Sequence, residues 1–132
     1  MYLREVIMND LNEFMATEVM GWTLGKAVHH IYQPSTWFEN NIVKMNYKYW
    51  NPAEDLNQAV MCAIKHCTNI SKLYKTIEIH INPNGVEVFL GDYEQGAHDY
   101  DAPVNFNMKS SDHEELPSAI CEAIKQAVEN VK

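Results

Sequence analysis

The chain has 132 residues, enough for one domain at ~100–200 residues apiece and short for two. Hydrophobic residues make up 46% and charged residues 21%, a globular balance that disfavours disorder, collagen and simple repeats. Ten Lys plus Arg against eighteen Asp plus Glu give a formal charge of -8, and a chain this acidic is repelled by phosphate backbones and anionic lipid, which argues against general nucleic-acid or membrane-surface binding.

Cys62, Cys67 and Cys121 are odd in number and too few for a disulfide framework, so reduced thiols in a cytosol are expected. The opening MYLREVIM lacks the long apolar core and small-residue cleavage site of a signal peptide. The apolar runs fall far short of the roughly 20 residues that span a bilayer. The expectation is a single domain over 1–132, with 1–8 as an N-terminal extension and 91–115 as an acidic loop and edge-strand segment.

The first periodic segment is 9–21, where Leu11, Phe14, Met15 and Val19 recur at helical spacing. Asn9 is the natural cap and Gly21 the natural stop. Residues 22–40 read as an irregular connection broken at Gly25, Pro34 and Ser35, with room for a short strand. Trp22, Tyr32, Trp37 and Phe38 are its expected packing anchors. Residues 41–50 alternate, placing Val43, Met45, Tyr47 and Tyr49 on the buried side of a strand. Asn51, Pro52 and Glu54 then offer a cap, a first helical residue and a capping-box acid. They open a helix over 52–67 whose expected buried stripe is Leu56, Ala59, Val60, Ala63, Ile64 and Cys67.

From Tyr74 the period returns to two, with Ile77, Ile79 and Ile81 inward, a turn at Asn82-Pro83-Asn84-Gly85, and Val86, Val88 and Leu90 beyond it. That predicts a hairpin pairing 74–81 with 86–90. Val104, Phe106 and Met108 alternate weakly and predict an edge strand. The last helix has Pro117 near its start and Ile120, Ala123, Ile124, Ala127, Val128 and Val131 on one stripe. Three helices and about four strands joined by hairpin-type turns predict an α+β layered domain with a mostly antiparallel sheet.

Few motifs carry chemistry. Gly21 and Gly25-Lys26-Ala27 approach a phosphate-binding loop, but three residues separate the glycines instead of four, and Ala27 has no hydroxyl to hold magnesium. Cys62 and His66 stand four apart on a helix, the spacing of two metal ligands, yet cysteine is commonly a small buried hydrophobe. His29, His30, His80, His98 and His113 include His98-Asp99 and Asp112-His113-Glu114, the minimum for acid-base chemistry, without a nucleophile elbow or metalloprotease helix beside them. No enzyme, cofactor or metal site is expected.

The acids are unevenly placed. Between Glu87 and Glu115 lie eight acids against Lys109 alone, so this span carries -7 of the net -8. Tyr93, Tyr100 and Phe106 are interleaved with them. Aromatic anchors amid negative charge suit a basic protein surface, and Asp92, Tyr93, Glu94, Asp99, Tyr100 and Asp101 are the expected contact residues. A solvated loop and helix start explain the same acids without a partner. Asp99 and Asp101 alone do not make a calcium loop.

Three ordered signatures resemble the phage ABA sandwich domain family: Met20-Gly21-Trp22, Trp50-Asn51-Pro52 with Asp55 and Ala59, and Pro117 with Ala119-Ile120-Cys121 and Ala123. The likeness covers about residues 9–131. It implies a small phage or prophage protein with an α/β/α sandwich and supplies no active site. Residues 1–8 and a longer acidic insertion before the last helix depart from the pattern. The expectation is a non-enzymatic inhibitor in the host cytoplasm, anti-CRISPR-like, binding a host protein with a basic surface and neither nucleic acid nor membrane. The alternatives are sequestration of a nucleotide signal of host immunity and, further, an enzyme using the His-acid pairs; an uncovered edge strand could also pair with its twin in a homodimer. Arg4 is the sole arginine, which weighs against an anionic nucleotide.

Overall fold

The first helix begins at Tyr2, well before the expected cap at Asn9. In the computed structural model, which describes residues 2–25, 36–69, 76–92 and 104–130, helix α1 spans Tyr2–Phe14. Residues 2–8 are therefore helical and continuous with the first periodic segment. Leu3, Arg4, Glu5 and Met8 are good helix formers, no breaker interrupts them, and Glu5 suits the positive end of the dipole. A π-helical turn continues over Met15–Val19, closed by the Met20 N–H on the Met15 carbonyl at 2.9 Å. Gly21, at φ +76, ends the helix as expected, and the Trp22 N–H returns to the Ala16 carbonyl at 2.8 Å.

The next three strands form one antiparallel sheet in the order β1 (Thr23–Gly25), β2 (Thr36–Glu39) and β3 (Ile42–Asn46). Asn40 and Asn41, at φ 51 and 69, form the two-residue turn that pairs Glu39 with Ile42. Asparagine tolerates this left-handed geometry, whose twist matches a hairpin. The expected strand over 41–50 is thus cut short. Asn46 accepts from the Lys48 N–H at 3.0 Å and starts a 3-10 turn over Tyr47–Tyr49. Val43 and Tyr49, expected inward, are 64% and 63% exposed. Trp37 fills the core from β2 instead.

Helix α2 spans Leu56–Thr68 and is capped by Asp55, which accepts from the Gln58 N–H at 3.1 Å. Asn51 caps a separate turn before it, its carbonyl accepting from Glu54 and Asp55. The buried face is Ala59, Cys62, Ala63 and His66, rotated from the expected stripe, while Leu56, Val60 and Ile64 are exposed. The small face lets α2 approach α3 closely, and α3 brings small residues of its own to the core, Ala119, Cys121, Ala123 and Ala127. Size at the contact outweighs hydrophobicity.

Strands β4 (Thr76–Asn82), β5 (Gly85–Asp92) and β6 (Val104–Ser111) form a second antiparallel sheet with β5 central. The hairpin register, Ile77 to Leu90 through Asn82 to Gly85, is the expected one. Val86, Val88 and Leu90 are buried, but Ile79 and Ile81 on the edge strand are 39% and 67% exposed. β6 is the other edge, as expected. A 3-10 turn over His113–Glu115 leads into α3, Leu116–Asn130. The His113 ring donates its Nε2–H to the Asn82 carbonyl at 2.6 Å, tying this junction to the hairpin turn.

Helix α3 is the centre of the molecule. It lies on β5 and β6 and carries α2 and α1 on its other sides. Ala119, Ile120, Cys121, Ala123, Ile124, Ala127 and Val128 are all buried. The fold is α+β, and among the described residues it has three α-helices and antiparallel strands as expected, with six strands in two three-stranded sheets in place of about four. Of the positions that carry the family resemblance, Trp22, Trp50, Pro52, Ala59, Pro117, Ala119, Ile120, Cys121 and Ala123 are buried, whereas Met20 and Asn51 are half-buried and Gly21 and Asp55 are exposed. Among the described residues no helix is long and apolar enough to cross a membrane.

Candidate functional site: an acidic aromatic cavity

Asn12, 8% exposed on α1, organises a site that sequence patterning did not indicate. Its Oδ1 accepts the Ala53 N–H at 2.9 Å, its Nδ2 donates to Asn51 Oδ1 at 2.9 Å, and its carbonyl accepts the Trp50 indole N–H at 2.8 Å. One buried asparagine thereby fixes the whole 50–53 segment against α1 and satisfies polar groups that water cannot reach. Gln58 braces the same segment from α2, accepting from the Asn51 N–H and donating to the Tyr49 carbonyl. The Trp50 ring leans on Trp22 with centroids 4.7 Å apart.

Beside this junction is a cavity of about 150 Å³. It is lined by Asn9, Asn12 and Glu13 of α1, Trp37 of β2, Tyr47 and Lys48 of the 3-10 turn, and Trp50, Asn51 and Glu54. The Tyr47 hydroxyl donates to Glu13 Oε1 at 2.9 Å. That hydrogen bond, partial burial and the negative charge of Glu13 and Asp10 raise the Tyr47 pKa above its ordinary value of 10.0. The Tyr47 ring stacks on Trp37, centroids 5.9 Å apart and planes 26° apart. Trp37 is buried and its indole N–H has no acceptor among the described residues. Asn51 reaches Glu54 at 3.4 Å. None of the ion pairs among the described residues involves Glu13 or Glu54. Lys48 holds its ammonium over the Tyr49 ring, 5.2 Å from the centroid.

The expected contact residues Tyr93, Glu94, Asp99, Tyr100 and Asp101 lie outside the described residues, as do Lys26, Ala27, His29, His30 and His98. Asp92 ends β5 opposite Val104 of β6. Of the remaining acids in that span, Asp112 and Glu114 are exposed, Glu87 pairs across the ladder with His80, and Glu115 meets Arg4 at 3.6 Å. His80 packs on Phe89 and lies 3.2 Å from Glu78.

Cys62 and His66 are both on the buried face of α2, with Cys67 only half-buried, the reverse of the expected assignment. The thiols of Cys62 and Cys121 share a hydrogen bond, which together with burial holds Cys121 well above the ordinary thiol value. Among the described residues no three His, Cys, Asp or Glu side chains gather to hold a metal ion. The Asn12 junction gave no sequence signal because its partners are 38–41 residues away.

No family model, curated protein or solved structure matches the chain.

Proposed function

We propose that this is a non-catalytic binding protein whose acidic segment engages a basic surface on another protein. The observation that carries this reading is the segregation of charge: -7 of the net -8 falls between Glu87 and Glu115, and the rest of the chain is nearly neutral. Clustered charge steers encounter and fixes orientation more than it adds raw affinity. The interleaved Tyr93 and Tyr100 supply the anchors that charge alone lacks. The resemblance to phage ABA sandwich proteins makes a host defence protein with a nucleic-acid-binding groove, such as a CRISPR effector, the first partner class to test.

The test is affinity capture from bacterial lysate with the wild-type protein immobilised, followed by a salt gradient. A discrete basic protein that elutes as salt rises supports the reading, because exposed charges more than about 8 Å apart are screened at 0.15 M. Retention of no basic protein, or retention indifferent to salt, contradicts it.

A further inference from the structure

We propose that the edge of β4 pairs with the β4 edge of a second copy of the chain, in an antiparallel register centred on Ile79. Among the described residues β4 is an outer strand of its sheet, and it runs for 7 residues with no lysine, no proline and no shift of register. Lysine, proline, bulges and short length are the devices that keep strand edges apart. The other edges carry them. Strand β1 has 3 residues, the β3 ladder shifts register between Trp37 and Phe38 and has Lys44 at its middle, and β6 contains Lys109 and shifts register between Gly91 and Asp92 of β5. Ile79 and Ile81 of β4 are exposed.

Backbone alternation and side-chain charge select the same register. The hairpin closes on the pair of Asn82 and Gly85 across a two-residue turn, so that pair exchanges its backbone bonds, and alternation turns the N–H and C=O of Ile77, Ile79 and Ile81 away from β5. A two-fold axis at Ile79 sets each outward residue against another, Ile79 on its own copy and Ile77 on Ile81. All 7 residues of the strand are then paired. In this register Glu78 stands opposite His80 of the second copy, twice over, at the positions where cross-strand side chains come closest. An imidazole beside a carboxylate forms a hydrogen bond whether the ring is neutral or charged. Both side chains reach solvent, and they already lie 3.2 Å apart within one strand. Moving the axis to residue 78 sets Glu78 against Glu78, and moving it to residue 80 sets His80 against His80. The pairing joins two three-stranded sheets into one of six strands, and because both copies use the same edge it closes at two.

The experiment is sedimentation equilibrium of the wild-type chain over a concentration series, with circular dichroism to establish that each variant is folded. A dimer that grows with concentration and is weakened at least about tenfold by Ile79→Lys, which sets two ammonium groups on the axis, supports the pairing. Ile81→Lys, at the more exposed position, takes its place if Ile79→Lys fails to fold. Oxidative cross-linking in a Cys67→Ser background reads the register. Ile79→Cys should couple to itself, whereas Ile77→Cys and Ile81→Cys should couple to each other when mixed and not to themselves. A chain that stays monomeric at every concentration, a dimer indifferent to the lysine substitutions, or an Ile79→Cys variant that couples no better than Ile77→Cys or Ile81→Cys alone overturns it. The lysate capture depends on residues 87–115, none of which lies in β4, and stands or falls separately.

Discussion

The side-chain amide of Asn12 on α1 donates to the side-chain oxygen of Asn51, 39 residues later, at 2.9 Å. This contact, with the Ala53 N–H on the same Asn12 side chain, is what holds one wall of the cavity in place. Replacing Asn12 by Ala leaves the buried Ala53 N–H unsatisfied, a loss of about 2 kcal/mol on the scale of ~1–3 kcal/mol per orphaned group. Urea unfolding should show a lower midpoint at unchanged slope.

The buried tryptophans divide by their indole partners. Trp50 donates to the Asn12 carbonyl at 2.8 Å, whereas the Trp37 N–H has no partner among the described residues. Phenylalanine at either position loses similar volume, so Trp50→Phe should cost about 1 kcal/mol more than Trp37→Phe, the net worth of one hydrogen bond. Chemical denaturation of the two variants measures the difference.

Helix α2 shows how the sequence pattern misled. Its apolar residues recur at helical spacing, and periodicity selects Leu56, Ala59, Val60, Ala63, Ile64 and Cys67 as the core face. The structure buries Ala59 and Ala63 of that stripe together with Cys62 and His66, and turns Leu56, Val60 and Ile64 outward, because close approach to α3 rewards small side chains. Val60→Gln and Ile64→Gln should each stay within about 0.5 kcal/mol of wild type, while Ala63→Leu should cost ~1–3 kcal/mol by overpacking. Thermal melts of the three variants test this face assignment.

Stability should fall on the alkaline side in a way that Tyr47 shares. Its folded pKa lies above the ordinary 10.0, since Glu13 accepts the phenol proton. Below pH 10 both states keep that proton and the contribution is fully present. As pH rises through the folded value, the phenolate forms beside Glu13 and the contribution is lost. Tyr47→Phe should therefore flatten the decline of Tm above pH 10, measured by circular dichroism across pH 8–11 against wild type.

Thiol chemistry gives a separate check on the core. Cys62 and Cys121 are buried and hydrogen bonded to each other, and Cys121 is held well above the usual thiol range. Thiolate is the reactive form, so a disulfide reagent at pH 8 should modify Cys67 first. Cys62 and Cys121 should react only at the rate of unfolding, as mass mapping of the modified peptides would show.

Local patterns carried much of the fold. Gly21 as a helix stop, the 76–92 hairpin and the buried stripe of α3 all follow from signals within a few residues of each other. Asn40-Asn41 was a readable turn signal that the alternation of 41–50 obscured. The cavity was not readable, because Asn12, Trp37 and Glu54 come together only through tertiary packing and none sits in a chemical motif. Exposure on β4 was hidden for a related reason: its isoleucines alternate correctly, but nothing in alternation says that a strand is an edge.

The proposed function requires the acidity to act as one placed surface rather than as bulk charge. Binding of the captured partner should be compared for Asp99→Lys/Asp101→Lys and for Glu5→Lys/Glu129→Lys, two exposed acids outside the segment. Both pairs change the net charge equally. The first pair should lose the partner and the second should retain it; equal loss in both, or full retention by the first, contradicts the proposed function.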